Sequence, residues 1–354
     1  MMKEPSHVIV KLLQELDQAD LSSLMYREIM LTRLRTVLPF DAACCTTVDP
    51  VTLLTTGAIT EQGVEAIHGS LMDNEYLHED YNKFSQLADA KIPVSALGQI
   101  TGGQPELSRR YRELLRPAGF ADELRAALKV DGVCWGFLTL FRSVDNGLFT
   151  AEELTWIEDI IPLIARRLKA GTLSRLHTNE PEQQLEEGIL LLDEQLVPIS
   201  LNSGGNYWLG KLQQAEGQGQ QKLPGPIRAV SLQALAEKPL PQGGLPTAKL
   251  CFQAAAGQFL TITASRLEGP SGLVQLAVSF TAAKAADLLP LITEAYGLSE
   301  REKEIVEQLS KGKSTKEVAE ALYISAYTVQ DHLKSIFAKT GVKSRRELIW
   351  QLYS

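Results

Sequence analysis

Residues Leu298–Ile349 read LSEREKEIVEQLSKGKSTKEVAEALYISAYTVQDHLKSIFAKTGVKSRRELI. Three helix starts are written into this stretch. Ser299 with Glu302, Ser314 with Glu317 and Ser344 with Glu347 each carry the S-x-x-E capping box, in which the serine accepts from the backbone N–H three residues on and the glutamate reaches back. Three fixed starts leave little freedom for a fourth helix, so the spacing predicts a compact four-helix unit at the C-terminus.

The apolar pattern agrees. Ile305 and Leu309 fall on one face of the first helix, Val318, Ala319 and Leu322 on the second, and Val329, Leu333, Ile336 and Phe337 on the third, all at helical spacing. Tyr323-Ile324-Ser325 is the short turn, with Ser325 capping the third helix and Gly341 ending it. Two helices joined by a tight turn and packed on a first helix make a helix-turn-helix. The outward stripe of its last helix follows by subtraction as Tyr327, Gln330, Asp331 and Lys334, with Thr328 beside it. Gln pairs with adenine, Asp accepts from cytosine, and Lys reaches guanine or phosphate. Ser314 and Thr315 open the second helix, whose free N–H groups suit a phosphate. Lys316, Lys339, Arg345 and Arg346 are the expected backbone contacts. Gly312-Lys313-Ser314 imitates the end of a phosphate-binding loop, but Glu307 stands where the first glycine of that motif belongs.

The segment resembles the LuxR/GerE-type helix-turn-helix domain, in the variant ending Tyr-Thr-Val-Gln-Asp-His-Leu-Lys, over about one sixth of the chain. The resemblance implies a dimeric transcription regulator whose third helix enters the major groove of double-stranded DNA, with RNA polymerase as a candidate further partner. Many members carry lysine where this chain has Gln330, a departure that bears on base preference.

Charge divides the 354 residues unevenly. From Gly297 onward ten Lys/Arg face eight Asp/Glu, whereas the rest holds 25 basic and 35 acidic residues, so the N-terminal part would not bind nucleic acid by itself. Four cysteines without a CxxC or Cys/His cluster suggest neither a disulfide framework nor zinc. Cys44 and Cys45 are adjacent and would point to opposite faces of a strand. No apolar run reaches bilayer length, and MMKEPSHVIVKLLQELDQ reads as an amphipathic helix, so a cytoplasmic protein without membrane association is expected.

Upstream, residues 8–38 read as helix. Two β-rich segments follow around Asp49-Pro50, then a long helical region over 61–90 and a short helix at Tyr111–Leu115. Strands at 122–130 and 133–143 flank Asp131-Gly132, a hairpin signal, and a helix over 151–169 closes the unit. GFADELRAALKVDGVCWGFLTLFRS followed by LFTAEELTWIEDIIPLIARRL resembles the C-terminal half of GAF sensor domains. That resemblance implies a small-molecule pocket, for which Tyr76, Tyr81, Phe84 and Trp135 are the aromatic candidates. GILLLDEQLVPISLNSGGNYWLGKL resembles the opening of a PAS domain, with further strands at 249–253, 258–266 and 274–281. The expected organisation is multidomain: an α+β GAF-like sensor domain (1–170), a linker (171–187), an α+β PAS-like domain (188–284), a connector helix (285–297) and an all-α four-helix DNA-binding domain (298–354).

The function expected from this order is a homodimeric DNA-binding regulator controlled by a small-molecule effector in the GAF-like domain or by a redox signal. The alternatives are an acyl-lactone quorum receptor and a regulator governed by a partner protein with no ligand. No cofactor, metal site or catalytic residue is identified. His78-Glu79-Asp80, the one dense polar cluster with a histidine, lacks HExxH spacing and a partnered nucleophile, and no phosphoacceptor constellation is found in residues 1–150.

Overall fold

The computed structural model describes residues 5–17, 19–176, 186–216, 223–236, 248–254, 259–268 and 273–353. The chain opens on two helices, α1 (Pro5–Asp17) and α2 (Ser23–Arg35), where the sequence predicts one. The break is local: Ser22 adopts an extended backbone and its hydroxyl accepts from Met25 N, restarting the helix.

Strands β1 (Ala42–Val48) and β2 (Thr55–Thr60) follow, joined by a turn in which the Asp49 carboxylate accepts from the N–H groups of Val51 and Thr52. The region expected as one long helix holds two short ones, α3 (His68–Leu77) and α4 (Phe84–Asp89). Between them Asn82 takes φ +56°, and the Lys83 ammonium donates to the carbonyls of Asn74, Glu75 and His78, closing the end of α3. Strand β3 (Val94–Ala96) and helix α5 (Leu97–Ile100) carry no periodic signal and were not expected. After a single π turn at Tyr111–Leu115 come β4 (Phe120–Val130) and β5 (Val133–Ser143). Their hairpin is the one expected, with Asp131 at φ +54° and Gly132 at φ +82°, both central residues left-handed. Helix α6 (Ala151–Leu176) runs on into the residues expected as linker.

The second unit holds β6 (Gly188–Asp193), β7 (Pro198–Leu201), α7 (Ser203–Ala215), α8 (Gly225–Leu235), β8 (Ala248–Gln253), β9 (Phe259–Glu268) and β10 (Val274–Ala282). Then come α9 (Ala285–Ala295) and the C-terminal helices α10 (Glu300–Ser310), α11 (Thr315–Ala321), α12 (Ala326–Thr340) and α13 (Arg345–Tyr353).

The two sheets share one antiparallel topology. The first runs β2-β1-β5-β4-β3 and the second β7-β6-β10-β9-β8, so each orders its own strands 2-1-5-4-3. One face of the first sheet (Cys45, Leu124, Leu128, Leu138) packs on α1, α2 and α6 through Leu13, Met30, Ile157 and Ile164. The second sheet buries Leu190, Leu250, Ile262 and Val278 against Trp208 of α7 and Ile227 and Val230 of α8. The two units touch: Leu54 and Met72 of the first belong to the core of the second, and Arg228 on α8 grips Asp73 on α3 with both Asp oxygens within 2.7 Å. Helix α9 serves two cores, Leu291 and Ala295 packing with the first unit and Ile292 with the C-terminal helices. Asp287 ties its start to the second sheet, accepting from Lys249 and Thr261.

Candidate nucleic-acid interface and ligand cavity

All three capping serines fold as their spacing dictates. Ser299 N donates to Glu302 Oε2 at 2.7 Å and Ser314 N to Glu317 Oε2 at 2.7 Å, with the reciprocal serine bonds in place. The third box is shifted by one residue: Ser344 accepts from Glu347 N, but Glu347 takes the N–H of Lys343. Gly312 (φ +82°) ends α10 and Ser314 caps α11, so the residues that imitate a phosphate loop are a helix stop and a helix start.

The turn between α11 and α12 closes with Ile324 N donating to Ala319 O at 3.0 Å and Tyr323 at φ +54°. Ser325 then caps α12, accepting from Thr328 N at 3.0 Å, while its hydroxyl pairs with that of Thr328 at 2.9 Å. The inner face of α12 (Val329, Leu333, Ile336) is locked against Ile305, Val306, Leu309 and Val318. Its outer face is left to solvent: Tyr327 is 71% exposed, and Gln330, Asp331 and Lys334 are all exposed. Gln330 makes no side-chain hydrogen bond among the described residues, and Lys334 meets only Asp331, at 3.0 Å, in a salt bridge open to water.

The remaining candidates separate into free and engaged groups. Lys316 and Arg346 are exposed at the helix starts, and Thr315 is half-buried. Arg345 donates to Lys313 O. Lys339 donates to Glu302 Oε2 at 2.6 Å and to Gly297 O at 3.1 Å. Glu302 is 3% exposed and also accepts from Ser335 Oγ at 2.7 Å, so one carboxylate fastens α10 to α12. Burial alone would raise its pKa; the bonds from Lys339, Ser335 and Ser299 overrule that and bring it down to about 2. This clamp was missed in the sequence, where Glu302 reads only as a capping residue. So was Tyr323, 95% exposed in the turn that leads into α12.

A cavity of about 1030 Å³ lies between the sheet of the first unit, α3 and α4, with the end of α8 completing its lining. Of the four aromatic candidates, Tyr76 and Phe84 line it. Tyr81 instead packs in a small cluster around Phe141, with its carbonyl accepting from Arg110 Nη2. Trp135, 2% exposed, lies in the core on the opposite face of the sheet and borders a second cavity, of about 630 Å³, between the units. Charged groups not singled out in the sequence lie at and beneath the floor of the larger cavity. Arg125 donates to Glu75 at 2.8 Å, Arg110 to Glu123 at 2.9 Å, and the Arg125 guanidinium sits 3.7 Å over the Phe84 ring. Asp80, from the polar cluster, accepts from Arg110 N and Tyr81 N and so braces a loop. All four cysteines are buried, and desolvation raises the thiols, Cys44 to about 11 and Cys45 to about 12. Among the described residues no group of three or more His, Cys, Asp or Glu could hold a metal ion, and no helix is long and apolar enough to cross a membrane.

Residues 297–351 match the family model described as bacterial regulatory proteins, luxR family. The spore germination protein GerE of Bacillus subtilis (strain 168) is 42% identical over 55 residues, which are 16% of this chain and 74% of GerE. The chain belongs to the luxR family. The transcriptional regulatory protein DesR of the same organism is 44% identical over 59 residues, 17% of this chain, and the chain spans only 30% of the length of DesR. The structure of SdiA from Escherichia coli aligns over 97% of this chain and 94% of that one at 12% identity, with a TM-score of 0.35, too loose to carry an argument about the upstream units. The luxR match therefore covers the capped helices and the exposed face of α12.

Proposed function

We propose that this luxR-family chain works as a homodimeric, signal-controlled regulator in which α12 enters the major groove. The observation that carries the reading is the asymmetry of α12: an apolar face locked into the core, and an opposite face whose amide, carboxylate and ammonium groups are committed to nothing but each other. Gln330 reads a base edge, Asp331 and Lys334 set its surroundings, and Ser314, Thr315, Lys316, Tyr327, Thr328 and Arg346 meet the backbone. Lys339 and Arg345 act first as internal ties and only secondarily as phosphate contacts. Two heads bind a near-palindromic site with half-sites about one helical turn apart, and affinity falls steeply with salt.

The upstream units are read as GAF-like and PAS-like sensor modules. Their shared 2-1-5-4-3 strand order, the helix-covered outer face of the first sheet and the cavity on its inner face support this division. The first unit receives a small-molecule effector. A redox signal is the weaker route, because buried thiols held as protonated S–H are poor nucleophiles toward oxidants. The test is a binding-site selection with the full chain and its Gln330→Ala variant. The variant is expected to lose discrimination at one position of each half-site, at a cost of about 1–3 kcal/mol. An identical consensus from both would remove Gln330 from base reading.

A further inference from the structure

We infer that the 1030 Å³ cavity is a composite site for an uncharged small molecule, and that α8 of the second unit is the wall that registers its occupancy. The inference rests on the reading of the upstream units as sensors and supplies the chemistry of the signal.

The floor is a set of cross-strand rungs. Cys44, Thr139 and Arg125 are direct neighbours on β1, β5 and β4 and form a polar middle rung. Phe137, paired with Thr46, lies on one side of it and Phe141, paired with Glu123, on the other. Such a surface offers aromatic area with a narrow polar stripe, the composition of a small-molecule site.

Its arginine–carboxylate pairs are already made. Glu75 accepts from Arg125 Nη1 and from Phe84 N, both at 2.8 Å. Glu123 is held by Arg110, whose side chain is itself fully buried. The Lys83 ammonium is drawn into the carbonyls that end α3. Phe84 covers the Arg125 guanidinium and stacks on Phe137 at 4.1 Å. Lys83 has no ion-pair partner among the described residues, but its ammonium is held by backbone carbonyls; a charged ligand would have to break those bonds or enter against the paired Arg125 and Glu75, and its desolvation would go largely unrecovered. An uncharged one is oriented by the Thr139 and Thr46 hydroxyls, the latter lacking any partner in the structure.

The first unit does not close the cavity alone. Gln233, Leu235 and Ala236, at the end of α8, complete the lining. Helix α3 turns Leu71 and Glu75 toward the cavity, while its Asp73 and Met72 are bound to α8 and the second core. Helix α8 packs on the second sheet, and that sheet holds the start of α9 through Asp287. A ligand that draws α8 onto the cavity therefore favours one placement of α9, and with it of the reading head.

The test uses the full chain and two probes with one ring system, uncharged N-phenyl-1-naphthylamine and its anionic relative 1-anilinonaphthalene-8-sulfonate. The uncharged probe is expected to bind saturably and the sulfonate at least about tenfold more weakly, since its charge finds no counter-ion that is not already held. Ala236→Trp, on the α8 wall, and Thr139→Trp, on the floor, are each expected to abolish binding, the first with unaltered circular dichroism. Amide exchange in α8 is expected to slow on saturation. Equal binding of the two probes overturns the uncharged assignment, and binding indifferent to Ala236→Trp, or α8 amides indifferent to the probe, overturns the composite site. The sensor reading fails separately, by a saturated chain whose affinity for a mixed-sequence duplex is unchanged.

Discussion

Replacing Glu302 by glutamine tests the clamp that orients α12. The Glu302 carboxylate is 3% exposed and accepts from Ser299 N, Ser335 Oγ and Lys339 Nζ at 2.6–2.7 Å. Glutamine keeps the size of the side chain but removes the charge that Lys339 faces. The carboxyl falls from an ordinary 4.5 to about 2 in the folded chain. A shift of that size is worth about 3 kcal/mol, and closer to 2 because the Lys339 side chain is 37% exposed and screened. A depressed carboxylate contributes stability that is fully present above its unfolded value near 4.5 and is lost as pH falls through about 2. The α12 amides of Glu302→Gln are therefore expected to exchange about 30- to 100-fold faster than wild type at pH 6, after correction for intrinsic rates. The gap should narrow steadily between pH 4.5 and pH 2. A gap independent of pH would mean that the loss comes from packing and not from the charge, and no gap at pH 6 would mean that Glu302 does not hold α12.

Two further outcomes follow from single contacts. Asp331→Ala releases Lys334 from its only partner among the described residues, so binding to mixed-sequence DNA should tighten and its log–log salt slope steepen by about 1, read from titrations at several salt concentrations. Gly136→Ala places a methyl group 2.4 Å from Thr46 O and 2.8 Å from Leu168 Cδ1, where backbone cannot give way, and should destabilise the first unit by about 1–3 kcal/mol in a urea melt.

The C-terminal helices were readable because their signals are local. A capping serine and its glutamate lie three residues apart, and Gly341 ends α12 with a φ of +74° that other residues adopt at a cost. The Asp131-Gly132 hairpin was readable for the same reason. Non-local features were not. Glu302 and Lys339 are 37 residues apart, so no window of sequence joins them. The ion pairs of the cavity floor link Arg125 to Glu75 across 50 residues and Arg110 to Glu123 across opposite sides of a strand start. Charged residues inside a strand pattern read as solvent-facing, whereas Glu123 and Arg125 are buried because α3, α4 and the π turn roof their face of the sheet, and Asp122 is buried where it accepts from the N–H groups of Gly98 and Phe149. Trp135 drew notice as a large aromatic on a strand, and strict alternation would put it on the cavity face with Phe137 and Thr139; the register shift that skips it, between the Leu128–Gly136 and Lys129–Cys134 pairs, turns it into the opposite core. The break within 61–90 escaped notice because α3 ends without a Gly or Pro: His78 turns to extended backbone and the Lys83 ammonium takes up the freed carbonyls.

On the function proposed above, helix α9 is the element that carries upstream events to the C-terminal helices, because it packs in both cores. Leu291, 5% exposed, and Ala295 face the core built on α6, while Ile292, one residue on, faces the C-terminal helices. A helix with both faces buried cannot move relative to one neighbour without being carried by the other, unlike a linker with a single attachment. Leu291→Ala removes the larger of its two side chains in the first core, at a cost of about 2–5 kcal/mol borne by that docking. The core beneath α12 contains neither Leu291 nor Ala295, so α12 should keep its amide protection in the variant. On the proposed function, the C-terminal helices, released from the upstream units, should then bind DNA with an affinity that no longer responds to saturation of the cavity. A variant that kept the wild-type response would show that the signal bypasses α9, and one that lost α12 protection would show that the two cores are a single folding unit.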